Sequence, residues 1–278
     1  MAEWIRSLEA VVRENRFTIA VVFPAVGAVT LVASERALLP DVLAYNALLL
    51  LLGVAVMRSP LVVGLLPLVD RRVVVGLGGL AAYTYAIEVL GVQTGLPYGE
   101  FAYEVALGPM LAGVPLALPL LFIPLVLNAY LLALLVLGEW AERPSMRIPV
   151  GIALVVAVDL VLDPAAVAVG FWSFDAGGLY YGVPWSNYAG WVLSGTVAIV
   201  LVDLSFDRPA LLERLERCPF VLDDLVSFVV LWGVINLVYG NAGAVVVATG
   251  FALVLIERPG VDIAGVLETA PQPLGMSR

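Results

Sequence analysis

Apolar residues run along this chain in blocks separated by short polar clusters. A helix needs roughly 20 consecutive apolar residues to cross the hydrocarbon core of a bilayer. Runs that meet or approach this length lie at 17–34, 40–57, 73–90, 109–138, 148–169, 188–206, 220–239 and 241–257. The expected fold is therefore all-α, a polytopic membrane bundle of about eight transmembrane helices forming one integral membrane domain over residues 1–278. The fourth run is long enough to tilt, with Pro115, Pro119 and Pro124 placed to kink it. The last two are joined only by Tyr239-Gly240-Asn241, a tight hairpin. The stretch Ser59–Val69, apolar and holding Pro60 and Pro67, is expected to lie along the inner interface. Residues 1–16 read as an amphipathic charged stretch without the short apolar core and cleavage site of a removable signal peptide.

The charges orient the bundle. With the N-terminus inside, inner segments hold every arginine except Arg36, with Arg258 and Arg278 counted among them. Seven spans would place those two outside, so the positive-inside rule favours eight spans and both termini in the cytoplasm. A multi-pass protein of the cell membrane is expected. Composition agrees: 62% of the 278 residues are hydrophobic and 13% charged, against roughly 25% charged in soluble domains.

Missing residue types remove whole classes of chemistry. The chain has no His, which argues against imidazole-ligated metals and haem. It has no Lys, so no Schiff base can form. The lone Cys218 cannot make an internal disulfide. Gly76-Leu77-Gly78-Gly79 lies inside an apolar span without a preceding strand, so it reads as close helix packing rather than a dinucleotide fingerprint. No cofactor and no metal are expected. Acids exceed arginines by 23 to 14, which gives nucleic acid no basic face. A Lys-free acidic surface suits a high-salt cytoplasm, and base-composition bias explains the missing Lys equally well.

Two outer loops, 91–108 and 170–187, lack basic residues and are rich in aromatics and Gly. Each is followed or closed by Gly-Val-Pro, at 113–115 and 182–184, an echo that an internal parallel repeat would leave. An aromatic belt at the headgroups is the blander reading. Beneath these loops fall the polar residues of the spans. A carboxylate in hydrocarbon costs several kcal/mol and is a functional candidate by default. Glu88 lies near the outer end of the third run. Asp159 lies near mid-membrane in the fifth, with Asp163 one turn above it on the same face. Asp163 precedes Pro164 and could instead cap a helix restart. Asn46 and Asn236 read as helix–helix partners, and Asp203, near Arg208, as structural.

These residues carry a resemblance. Tyr83, Tyr85, Glu88, Gly91, Thr94-Gly95, Pro97-Tyr98-Gly99, Leu107-Gly108-Pro109 and Gly113-Val114-Pro115 form one signature. Asp163-Pro164, Gly170-Phe171-Trp172, Tyr180-Tyr181-Gly182-Val183-Pro184, Asn187-Tyr188 and Gly190-Trp191 form the second. Over residues 75–200 the chain resembles the carotenoid 1,2-hydratase family, with local departures at Phe101, Phe174 and Asp175. The resemblance implies cofactor-independent hydration of the terminal isoprenoid double bonds of a C50 carotenoid. Its implied partners are the lipophilic carotenoid, membrane lipid and other membrane enzymes of carotenoid biosynthesis. From their placement at the outer ends of separate helices, each just before an aromatic loop, Asp163 and Glu88 are expected to form the acid–base core, with Asp159 the next candidate. Substrate contacts are expected at Tyr85, Tyr98, Phe171, Trp172, Tyr181, Trp185, Asn187 and Trp191. The residues suit this chemistry: water addition to an alkene needs a proton donor, support for a tertiary cation and a positioned water. A buried carboxyl can be that donor, and aromatic faces support a cation by ~0.5–2 kcal/mol per contact.

Other readings compete. Asp159-x-x-x-Asp163 has the spacing of an intramembrane prenyltransferase that holds Mg2+-diphosphate, but the outer half offers one Arg and no second acidic motif. Midplane carboxylates also suit a proton-coupled transporter, and a non-catalytic carotenoid-binding scaffold is a further reading.

Overall fold

The computed structural model describes residues 2–105, 107–257 and 262–271, which leaves Arg258 and Arg278 outside. Helices account for nearly all regular structure. The amphipathic α1 (Ala2–Glu14) leads through a π-turn at Thr18–Val22 into α2 (Phe23–Glu35). Then come α3 (Ala47–Leu65), α4 (Arg71–Thr94), α5 (Leu118–Leu137), α6 (Pro144–Ala168) and α7 (Trp185–Ser205). The amphipathic α8 (Arg208–Arg217), α9 (Asp223–Tyr239), α10 (Ala242–Glu257) and the short α11 (Ile263–Glu268) close the chain. Among the described residues, six helical stretches are long and apolar enough to cross a membrane, those built on α2 to α7. The helices α9 and α10, at 17 and 16 residues, fall short of that length. They pack against each other across Gly240, whose φ of 73° closes α9.

Several boundaries differ from the sequence pattern. Helix α5 starts at Leu118, so residues 109–117 do not belong to it. They hold a small hairpin of β2 (Met110–Leu111) and β3 (Val114–Pro115), introduced after β1 (Phe101–Tyr103). Pro115 therefore sits in a strand and kinks nothing, Pro119 falls in the first helical turn, and only Pro124 lies inside. Residues 59–65 are not interfacial. They continue α3 into the core, with Leu61, Val63 and Leu65 buried, and a 3-10 turn follows at Leu66–Leu68. Pro60 is tolerated there because the Val56 carbonyl it cannot reach accepts from the Ser59 hydroxyl at 2.7 Å. Helix α3 begins only at Ala47, and Asn46 caps it, accepting from the Leu49 N–H at 3.1 Å. Asp163 caps no restart, since α6 runs through Pro164. The Leu160 carbonyl left free by that proline accepts from the Tyr180 hydroxyl at 3.2 Å.

The arginine-rich end of the bundle is tied by ion pairs with buried arginines. Arg16 joins Asp223 at 2.7 Å and Asp262 at 2.7 Å. Asp262, just before α11, sits below the usual carboxylate range because the Gly265 N–H and Arg16 both stabilise its charge. Arg58 meets Asp224 at 2.8 Å, and Asn128 donates to the same carboxylate. Asp203 is structural as expected, but its hydrogen-bonded partners are Arg147, at 2.5 Å, and Tyr130. Asn236 donates to the Val161 carbonyl at 2.8 Å, joining α9 to α6. Gly76 packs so closely on α7 that a Cβ there would meet the Ser205 hydroxyl at 1.7 Å, whereas Gly78 and Gly79 face open space.

At the opposite end the two aromatic loops pair. β1 runs antiparallel to β4 (Trp172–Phe174), with Phe101 opposite Phe174 and Tyr103 opposite Trp172. The segments around this ribbon are built twice. Left-handed glycines follow α4 and α6, Gly95 at φ 72° and Gly170 at φ 70°. After each strand comes a two-residue turn with positive φ at both positions, Ala112-Gly113 (51°, 83°) and Tyr181-Gly182 (53°, 86°). One lies between paired Leu111 and Val114, the other between paired Tyr180 and Val183. This is the type I′ geometry, which suits the right-handed twist of a hairpin. Pro115 and Pro184 follow, then α5 and α7. The Gly-Val-Pro echo thus marks one hairpin made twice, and the antiparallel β1–β4 pair relates the two copies by a local two-fold.

Candidate active site

The doubled segments converge on one cavity of about 90 Å3, several times the roughly 10–15 Å3 that one water needs. Each copy contributes a carboxyl. Glu88 stands seven residues before Gly95 on α4, and Asp163 seven before Gly170 on α6; both line the cavity. Each copy also contributes an aromatic ring seven residues after its proline, Phe122 on α5 and Trp191 on α7. These rings stack at 5.2 Å with 13° between planes. From the ribbon come Phe101, Tyr103, Trp172 and Phe174, and Leu107, Leu118, Leu121, Leu125 and Leu162 complete an otherwise apolar wall.

The two carboxyls have different surroundings. The Tyr103 hydroxyl donates to Glu88 Oε1. Burial and the adjacent Glu88 charge hold the Tyr103 phenol well above its ordinary range, so it remains a donor at physiological pH. On the other side Asn187 Nδ2 donates to Asp159 Oδ2 at 3.0 Å and also to Asp163 Oδ2. One amide thus holds two carboxyls a helical turn apart. Asp159 and Asp163 are 1% and 3% exposed, and no arginine among the described residues reaches either. Asp159 does not line the cavity; it backs Asp163 through Asn187. Its Oδ1 has no partner among the described residues, nor has the hydroxyl of Thr84, the matched position on α4. Tyr98 lines the cavity and shares a 2.6 Å hydrogen bond with Ser194. Burial pushes its phenol up as well.

The structure gathers Glu88, Asp163, Tyr98, Trp172, Asn187 and Trp191 around this cavity, with Asp159 behind them. It does not bring the other expected contacts there. The Tyr85 hydroxyl donates to the Leu111 and Val114 carbonyls at 3.1 and 2.9 Å, pinning the β2–β3 hairpin. The Tyr181 hydroxyl accepts from the Gly243 N–H at 2.8 Å and ties the second hairpin to α10. Trp185 is 65% exposed and packs on Tyr188. Phe171 lines a neighbouring groove rather than the cavity. Tyr103, Phe122 and the leucine wall went unnoticed in the sequence. Aligning the loops on Gly95/Gly170 and on Gly-Val-Pro would have singled out Phe122 as the match of Trp191.

Comparison with known proteins follows this geometry. The model of the carotenoid biosynthesis protein family matches residues 45–255. The bisanhydrobacterioruberin hydratase of Haloarcula japonica is 62% identical over 231 residues, covering 83% of this chain and 78% of that protein. No solved structure matches.

Proposed function

The chain belongs to the carotenoid biosynthesis protein family, and from that premise we propose that it is a carotenoid hydratase acting on bisanhydrobacterioruberin. It adds water across each terminal isoprenoid double bond of this C50 carotenoid and leaves a tertiary alcohol. The observation that carries the reading is a pair of carboxyls, Glu88 and Asp163, facing one apolar, aromatic cavity from separate helices.

The proton donor is the Asp163 side. Two adjacent carboxylates held by one amide, with no cation among the described residues beside them, repel each other, so the pair keeps a proton to give. The Asp163 O–H bond breaks, and its proton forms a C–H bond at the less substituted alkene carbon. The tertiary cation left behind is supported by the faces of Trp191 and Phe122. Glu88, oriented by Tyr103, takes a proton from the water as its oxygen bonds to the cation. Return of that proton to Asp163 closes the cycle, with no redox partner needed. The leucine wall keeps other water away from the cation. For the bundle we read α9 and α10 as a seventh and eighth span of a cell-membrane protein with both termini cytoplasmic. The concentration of arginines at one end supports that orientation.

The test is to express the chain beside its carotenoid precursor and analyse the pigment by mass. Hydration adds one or two waters, takes its oxygen from H2-18O, and proceeds without O2. Label arriving from 18O2, or an unchanged pigment, would falsify the reading.

A further inference from the structure

A second cavity of about 660 Å3 adjoins the first, within the roughly 300–1,000 Å3 typical of small-molecule sites. It lies between α2 and α3, with α9 behind it. Along α2 its lining runs from Phe23 to Ser34, a length of about 17 Å at the helical rise. The two cavities share Leu107, Leu121, Leu125, Leu162 and Trp172 as a common wall. The groove therefore abuts the carboxyl chamber, with these five side chains between the two.

We propose that this groove holds the polyene of the substrate, admitted sideways from the bilayer, while the terminal double bond reaches Asp163 and Glu88 past Leu162 and Trp172. The proposal rests on the hydratase reading and locates the part of the substrate that does not react. Its rim is apolar and open: Val26, Leu49 and Leu52 are 60%, 50% and 54% exposed. A chain dissolved in the bilayer core can slide between α2 and α3 without crossing a polar layer. Aromatic rings gather where the groove meets the chamber. Phe171 contacts Tyr45, Trp172 and Trp232, each at 6.2 Å between centroids. Tyr45 is fixed there by a hydrogen bond from its hydroxyl to the Val169 carbonyl at 2.6 Å. Flat rings suit a flat conjugated chain, and a groove that abuts a chamber holding two carboxyls suits a chain with a reactive terminus. A saturated lipid acyl chain would need neither.

Gly53 lies on the groove wall, where a Cβ would meet nothing within 4 Å. Gly53→Phe fills the channel without a backbone clash, and Thr30→Phe narrows it from the α2 side. Leu48→Phe, on the lipid-facing side of α3 at 67% exposure, is the control. Two signals are read on the purified full chain in detergent. One is the circular dichroism induced in the visible band of the bound C50 precursor, and the other is its hydration. Overpacking the channel should lower both about tenfold or more in the two groove variants, with Leu48→Phe near wild type and helical content equal throughout. Undiminished binding overturns the proposal, whether or not turnover falls. So does loss of co-purified phospholipid with the pigment signal intact, which would assign the groove to a structural lipid. A wild-type chain that binds pigment through this groove yet adds no water would defeat the hydratase reading and leave the groove standing.

Discussion

Asn187 is the residue whose removal most directly probes the acid side of the site. Its amide is the only group hydrogen-bonded to both Asp159 and Asp163 among the described residues, and it is 3% exposed. Leu118 occupies the matched position in the other copy of the motif, three residues after its proline, so Asn187→Leu keeps the volume and deletes the donor. Hydrogen bonds to charged groups contribute ~1.5–3 kcal/mol. If the bond to Asp163 tightens as the proton leaves, losing it lowers kcat by roughly 10- to 150-fold. The change also strands two buried carboxyls, at a stability cost of about 1–3 kcal/mol each. The assay is initial-rate hydration of the carotenoid precursor in detergent, alongside thermal unfolding. Because Asn187 acts through Asp163, kcat should fall while KM changes little, and Asn187→Gln, which keeps a donor, should recover part of the rate. A folded Asn187→Leu protein with kcat within threefold of wild type would refute the reasoning.

Other outcomes follow from the same geometry. Asp163→Asn and Glu88→Gln should each reduce hydration by about 10²–10⁴-fold, the usual contribution of a positioned acid or base, whereas Asp175→Asn at the loop tip should retain most activity; near-normal product from both core variants would move the chemistry to Asp159, Glu100 or Glu104. Reporter fusions after Asp175 and after Leu212 should read opposite sides of the membrane, the first outside, and finding both on one side would defeat the eight-span reading. Arg16→Met leaves the fully buried Asp223 without its partner and should lower stability by about 3–5 kcal/mol; Arg16→Met with Asp223→Leu should regain much of it, which a melting series in detergent would show.

The membrane character was plain in the sequence because length and apolarity alone decide whether a helix can span. The runs that became α4, α6 and α7 have their ends within a few residues of the expected places. Where apolar character does not mean helix, the pattern misled. Residues 109–117 carry no charged or polar side chain, yet their Ala112-Gly113 turn folds back on itself, and Ala in a left-handed position gives no warning. Proline misled in the other direction. Pro60 and Pro164 suggest breaks, but Ser59 and Tyr180 satisfy the carbonyls those prolines abandon, and the helices continue. In the site, charge was the readable signal: a carboxylate in an apolar run needs a reason, and Glu88, Asp159 and Asp163 came out together. Aromatic residues were harder. Tyr181 shares the aromatic loop composition of Tyr98 and Tyr103, and Tyr85 lies on α4 beside Glu88, so only the direction of each side chain separates a hairpin pin from a cavity wall. Several arginines used to orient the bundle, among them Arg16, Arg58 and Arg147, also proved to be buried partners of specific aspartates.

The duplicated motif bears on how the proposed mechanism can give two carboxyls of one site different roles. A local two-fold sets Glu88 and Asp163 in equivalent places above equivalent helices, beside equivalent rings. Equivalence alone would leave open which of the two keeps the proton. The copies differ at few of the positions that matter. Where α4 has Thr84, α6 has Asp159, and where α5 has Leu118, α7 has Asn187. Together these changes place a second carboxyl and a bridging amide beside Asp163 alone. Under the two-fold of the ribbon, Tyr103 of β1 corresponds to Phe174 of β4, and among the described residues only Glu88 receives a phenol hydrogen bond. A group crowded by a like charge holds its proton, and a group that receives a hydrogen bond from a neutral donor is kept as its anion, the form a base starts from. The fold thus supplies position twice over, and three matched differences give the two carboxyls the unlike surroundings that the proposed donor and acceptor need.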